Sequence, residues 1–539
     1  MSYDLRFESW IPFRRASGGV DWLPPSGLTE RLAEDPIIAL ACPRADFDAA
    51  VLEFLIGLFS VAIAPENEPE WEAVGRAPPS PAALRAALSR LPDAFALDGD
   101  SARAFQDLDP LDGVEATPIE NLLIDAAGEQ ARRRNTDLFA KRDRILSLGR
   151  PAAAMALVTM QTYAPSGGQG HRTSLRGGGP LTTLAEPRAQ PRTEPLWRLI
   201  WANAESVAQF DERDGGRARA WSPADTFPWL APTRTSYPKE RGVPTYPTDA
   251  APGQAYFGLP RRIRLEITQA AGICALTGLP DTTQIKAFRM KNYGVQYTGW
   301  RHPLTPYYYD KQSGLLPEHG QPGGVAWRDW QGLLFDSADE SGSRPAQAIA
   351  HYRARRADGP FRILVFGYDV DKMKARSWIQ AELPAFPDAM LESVRAFTDA
   401  ATAAAQLLAT VVMFAVKAAL LQRPKDAPGD YRYLKQALWA RTQAPFFDLV
   451  GEVTQVPNAD GPAMRERFRH VLREAALTIF DLACPLTAGL ESSHLRRPIA
   501  ARHRLVMTLE GFGKDGSALF KALNLAPPEI RKAKKQSAA

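Results

Sequence analysis

Leu383-Pro-Ala-Phe-Pro-Asp388 ends one kind of sequence, and Val394-Arg-Ala-Phe-Thr-Asp-Ala-Ala-Thr-Ala-Ala-Ala-Gln-Leu-Leu-Ala-Thr-Val-Val-Met-Phe-Ala-Val-Lys-Ala-Ala419 belongs to another. In the second stretch Val394, Phe397, Ala401, Ala404, Leu408, Val411, Ala415 and Ala418 recur at three-four spacing, which gathers them on one helix face as a packing stripe. Its uncharged part, Ala400 to Val416, falls short of the ~20 apolar residues of a spanning helix, so it reads as a bundle helix and no membrane is expected as a partner. Helical patterns follow over about 431–453, 461–483 and 493–523, separated by Pro, Gly and Asn. The second of these carries Met464, Phe468, Val471, Ala475, Ile479 and Leu482 on one side. Together they predict a C-terminal four-helix bundle over 385–530, followed by a basic, disordered tail over 531–539.

Upstream of that boundary the pattern is weak, with short apolar runs, many prolines and glycine clusters, which predicts a large irregular mixed domain over 1–384. Arg262 to Thr268 and Phe361 to Tyr368 read as strands, Asp48 to Ile63 and Pro151 to Thr162 as helices. The fold class is therefore α+β. A chain of 539 residues also exceeds the roughly 250–300 at which one core stops growing.

Apolar residues at 45% and charged residues at 23% describe an ordinary globular chain. Cys42, Cys274 and Cys484 lie too far apart for a Cys-x-x-Cys metal site or a disulfide framework, so they read as small hydrophobes in a reducing compartment. Met1-Ser-Tyr-Asp-Leu-Arg6 lacks the basic start and apolar stretch of an export signal, and a cytoplasmic location is expected. The net charge of +4 does not by itself establish nucleic-acid binding. Arginine outnumbers lysine 50 to 15, which suits phosphate contact but also follows from GC-rich coding.

Local catalytic signatures are missing. The closest of the seven histidines, His494 and His503, stand nine residues apart, and no lysine has an acidic residue two positions before it, as restriction-type nucleases require. No serine lies in a Gly-x-Ser-x-Gly elbow. Gly511-Phe-Gly-Lys514 approaches a phosphate loop, but Asp515 replaces its hydroxyl and Thr508 its first glycine. The expectation is a protein without enzymatic activity, cofactor or metal; a stand-alone metal-dependent nuclease or hydrolase with dispersed ligands is the alternative.

Two segments carry potential contact chemistry. Ser166-Gly-Gly-Gln-Gly-His-Arg-Thr-Ser-Leu-Arg-Gly-Gly-Gly-Pro180 combines glycines with His171, Arg172 and Arg176. Glycine lets a backbone approach a partner and present N–H groups to it, although a mobile connector has the same composition. Arg132-Arg-Arg-Asn-Thr-Asp-Leu-Phe-Ala-Lys-Arg-Asp-Arg144 sets an aromatic among cations, which fits either base stacking or a solvated helix start.

Phe7-Glu-Ser-Trp-Ile-Pro12, Leu196-Trp-Arg-Leu-Ile-Trp-Ala-Asn203 and Phe366-Gly-Tyr-Asp-Val-Asp-Lys-Met-Lys-Ala-Arg-Ser-Trp378, followed by the helical region, occur in that order in one family. The chain resembles the CasA family, large subunits of the type I-E Cascade complex of CRISPR immunity, over nearly its whole length. That resemblance implies a non-catalytic subunit that reads the protospacer-adjacent motif of double-stranded DNA through the minor groove, promotes duplex opening and R-loop formation, and recruits a helicase-nuclease. The implied partners are the other Cascade subunits with crRNA, the target duplex and that nuclease.

Carried over by position, the resemblance assigns the glycine loop to Gly167, Gly168, Gln169 and Gly170, with Arg172 beside it. It places a basic finger at Lys291, or second at Arg289, shortly before Trp300-Arg-His-Pro303. A wedge falls on Asp371, Lys372 and Met373, where Lys372 replaces the amide of other members. A loop touching the motif or the crRNA-bearing subunits spans Asn135 to Arg142, with Phe139, Ala140 and Lys141 at its contact positions. Some members carry a cysteine-rich zinc insert before the finger; only Cys274 stands there in this chain, which implies no zinc.

Overall fold

The computed structural model describes residues 2–137, 142–217, 219–336, 342–356, 361–371, 373–386, 388–426, 429–455, 461–485 and 492–528. The chain divides into two compact units. One holds Met1–Gly324, Gly332–Arg355 and Phe361–Leu383; the other holds Val325–Gln331, Arg356–Pro360 and Pro384–Ala539.

The first unit is built on two helices, Ala45–Ile63 and Arg150–Tyr163, packed against each other and almost wholly buried. The first helix has Asp46 and Asp48 in its opening turn, where carboxylates face the positive end of the helix dipole. The second starts at Gly149-Arg-Pro151, with proline where its missing N–H costs nothing. Both begin within three residues of the starts expected from sequence. Phe54 of the first helix packs in a connected cluster of edge-on and tilted rings with Trp10, Phe95, Phe105, Phe227, Trp229 and Phe257.

Two three-stranded sheets position the candidate residues. In one, Gln284–Lys291 runs between Ala116–Pro118 and Arg262–Thr268, antiparallel to both. In the other, Phe361–Asp371 lies between Thr182–Glu186 and Lys374–Ala385. The second sheet therefore ends in a tight hairpin between Asp371 and Lys374.

In the second unit, helix Asp388–Leu420 packs against Arg432–Gln455, Pro462–Ala483, Ser492–Leu509 and Gly513–Ala522. By length and composition Val394–Leu420 could cross a membrane; here it is the central helix of a bundle. Trp327 belongs to this unit, stacked on Phe446 at 4.1 Å and donating from its indole to Thr442 Oγ1 at 3.0 Å. Nothing in the local pattern around Trp327 announces that placement.

Two details differ from the sequence expectation. The stripe on the long helix drifts: Val394 to Leu408 are buried as expected, but further on Val412, Val416 and Ala419 are buried while Val411, Ala415 and Ala418 are half-exposed. Three-four spacing averages about 3.5 residues per turn against 3.6 in a straight helix, so the face rotates by about 20° per heptad. On helix Pro462–Ala483, Leu472 is buried where Val471 is half-exposed, and Leu482, next to the helix end, is 67% exposed. The last expected helix is also two helices, broken between Leu509 and Gly513. Gly511 has φ +90°, and a Cβ there would stand 2.9 Å from the Phe520 ring, so the chain turns sharply where only glycine fits.

Candidate nucleic-acid interface

The glycine-rich segment divides in two. Its second half is structural: Cβ atoms at Gly177 and Gly178 would stand 2.8 Å from the His319 ring and 2.7 Å from Pro165 Cα. Arg176, read from sequence as a potential contact cation, is instead fully buried. It pairs with Glu53 at 2.7 Å and donates to Thr182 and Thr305, while Glu53 also accepts from Tyr163. A cation so held cannot reach a partner.

The first half is exposed from Ser166 to Gln169. Gly168 has φ +107°, and a Cβ there meets nothing within 4 Å, so the space is open but the backbone suits glycine alone. Gly170 has φ +79°, and its Cβ would press at 3.0 Å on Asn292 and Tyr293. Tyr293 N donates to Gly170 O at 2.7 Å, and Asn292 Nδ2 donates to Gln169 O at 2.9 Å.

Those two bonds join the loop to the end of strand Gln284–Lys291, whose last residue is the exposed Lys291. The Lys291 side chain makes no ion pair or hydrogen bond among the described residues, and its cross-strand neighbour Arg262 is paired with Asp107 and Asp109. Arg289, on the same strand face, is occupied by Glu266 at 2.9 Å and Asp112 at 3.2 Å. Of the two finger candidates, Lys291 is the one with a free charge next to the glycine loop.

Residues that sequence reading did not single out brace this arrangement. Tyr293 has φ +65° and is fixed by its carbonyl, which accepts from Ser236 N at 3.2 Å and Thr235 Oγ1 at 2.9 Å. Tyr237 packs on the Tyr293 ring at 4.6 Å, and Arg172 lies over the same ring while donating from Nε to Ser236 Oγ at 2.8 Å. The Asn292-Tyr-Gly294 triplet was the available signal, since Asn and Gly favour turns. His171 is held below its ordinary pKa by burial first and then by the positive charge of Arg261.

At the hairpin, Met373 has φ +68° and is 54% exposed at the tip, an apolar side chain presented to solvent. Asp371 is exposed and paired with Arg376 at 3.2 Å. Lys372 lies outside the described residues. So do Phe139, Ala140 and Lys141. Of that loop, Asn135 has φ +50°, and Arg142 folds back onto Asp137 and donates to Arg132 O at 2.8 Å and Asn135 Oδ1 at 3.1 Å. Arg142 is thereby committed within its own loop, and Asp137 is pulled down to about 2 chiefly by its bond with Arg142.

Among the described residues no three His, Cys, Asp or Glu side chains are grouped to hold a metal ion. The surface combines a glycine-rich ridge that carries Gln169, an unpaired lysine and an aromatic brace, which is chemistry for contact with a polyanion.

The family model for CRISPR-associated protein Cse1 matches residues 4–479. The fold is similar to CasA of Thermus thermophilus, 18% identical with a TM-score of 0.67, covering 94% of this chain and 99% of that one. It is also similar to Cse1 of Thermobifida fusca, 16% identical with a TM-score of 0.68, covering 97% and 99%. A chain of a structure described as a CRISPR RNA-guided surveillance complex is 17% identical with a TM-score of 0.64, covering 94% and 99%.

Proposed function

Because the chain belongs to the CRISPR-associated Cse1 family, also called CasA, we propose that it is the large, non-catalytic subunit of a type I-E Cascade complex. In this reading it recognises the protospacer-adjacent motif from the minor groove, helps open the duplex, and recruits the helicase-nuclease that cuts. It works in the cytoplasm beside the crRNA-bearing subunits, and the long apolar helix serves bundle packing. The observation that carries the reading is the junction of the exposed Gly167–Gly170 ridge with the unpaired Lys291 through Asn292 and Tyr293.

A minor groove is about 6 Å wide and offers acceptors common to several base pairs. A ridge with glycine on both sides of Gln169 enters it where bulkier residues would not, and a lysine at its edge meets the acceptors with a degenerate preference. In this reading the wedge at the hairpin is Met373 or Lys372, and the exposed apolar side chain of Met373 at the tip favours Met373. Unstacking a base step costs about a few kcal/mol, offset by contacts around the motif, after which guide pairing is a near-balanced exchange of one duplex for another.

The test is binding of the reconstituted guide-RNA complex, with and without this chain, to duplexes that differ only in the flanking bases. The chain should create a flank dependence that Gly168→Asp or Lys291→Ala removes while each variant stays folded by thermal melting. Equal affinity across flanks with the wild-type chain present would refute the reading.

A further inference from the structure

Arg261 is an anomaly in the first unit. It is 6% exposed, yet it has no ion pair among the described residues. Its guanidinium makes one hydrogen bond there, to Pro165 O, and its buried Nε has no partner. Burial with no opposing carboxylate pulls its pKa down to about 10, which still leaves it charged at neutral pH. Most other buried arginines are treated differently: Arg6, Arg15, Arg176, Arg188, Arg262 and Arg469 each face a carboxylate, whereas Arg264, which also has no ion pair among the described residues, donates to Asp107 O at 3.0 Å away from the loop root.

The location is specific. Pro165 is the root of the glycine loop, immediately before Ser166. The Arg261 backbone is clamped by the Gln161 amide, which accepts from Arg261 N at 3.0 Å and donates to Arg261 O at 2.9 Å. A Cβ at Gly294 would overlap Pro260 O and stand 3.3 Å from Arg261 N, so the Asn292–Gly294 turn packs against the Pro260–Arg261 backbone. Arg261 thus touches the root of the glycine loop with its guanidinium and the turn after Lys291 with its backbone, and its charge acts on His171 in the loop.

An uncompensated buried charge costs stability. Screening by solvent is weak around it, so its field extends outward through the loop. We infer that Arg261 is an electrostatic positioning residue whose missing counter-charge is supplied by the phosphodiester backbone of a duplex docked on the glycine loop. It touches no base and reads none; it attracts the polyanion to the ridge that does. This inference rests on the function proposed above.

The test compares wild type with Arg261→Gln, which retains a donor for Pro165 O, and Arg261→Lys, which retains charge. For Arg261→Gln in the full reconstituted complex, duplex affinity at low salt should fall about ten-fold for all flanks alike, with a shallower salt dependence. Arg261→Lys should recover most of that loss. In the isolated full chain, the melting temperature of Arg261→Gln should hold or rise, and the His171 ring resonance should titrate at higher pH than in wild type. The histidine is faced by Arg261 and Asn292, so loss of the arginine charge has a direct readout there. A lower melting temperature with unchanged duplex affinity would make Arg261 a structural residue and overturn the inference. Absence of flank dependence in wild type would instead defeat the proposed function, while the affinity ratio of Arg261→Gln to wild type would still decide the role of Arg261.

Discussion

Arg172 and Arg176 are four residues apart in one glycine-rich segment and have opposite fates. Arg176 closes a buried network with Glu53, Tyr163, Thr182 and Thr305. Arg176→Met leaves the Glu53 carboxylate buried and unpaired, so it should cost about 3–5 kcal/mol in urea unfolding. A loss under about 1 kcal/mol would mean the network is not a unit. Arg172→Ala removes a partly buried side chain resting on Tyr293 and should change stability by about 1 kcal/mol or less while weakening duplex binding. Met373 offers a different separation. Its left-handed backbone costs about 1–2 kcal/mol for a non-glycine residue. Met373→Gly should therefore stabilise the chain modestly and slow opening of the duplex, followed by fluorescence of a base analogue beside the motif. A variant that opens the duplex at the wild-type rate would remove Met373 from the wedge.

Among elements, the bundle shows how far a local pattern carries. The long helix was legible because apolar residues recur within it, and the recurrence is a property of neighbouring residues. The choice between Val411 and Val412 was not, because a rotation of about 20° per heptad accumulates only in a real helix. Trp327 was invisible for another reason: it is brought by a short segment of a different part of the chain to pack among Trp439, Phe446 and Phe468. Trp327→Ala should destabilise the second unit by about 3–5 kcal/mol, seen as its cooperative unfolding transition moving to lower denaturant. A change under about 1 kcal/mol would show that the stack is not part of that core.

For the whole molecule, His171, His302, His319 and His351 are all held below their ordinary pKa, each chiefly by burial. A neutral native imidazole with an ordinary unfolded value binds fewer protons folded than unfolded. Stability is then complete above about pH 6.5 and declines as pH falls below it. The melting temperature should drop between about pH 7 and pH 5, and a flat profile across that window would contradict the burial of these rings. His302, fully buried with Nδ1 accepting from Leu304 N at 3.1 Å, should contribute to this drop. Features set by near neighbours could be read along the chain: the change from irregular α+β to helices after Pro384, the strands at Arg262–Thr268 and from Phe361, the glycines that permit left-handed backbone, and the family to which they belong. Which charges are available could not, since it was settled by contacts between distant segments. Glu53 that silences Arg176 lies 123 residues away, Asn292 that anchors Gln169 lies 123 away, and Pro165 above Arg261 lies 96 away. Periodicity and turn preference act along the chain, whereas the burial or exposure of a charge depends on which distant group comes within bonding distance of it.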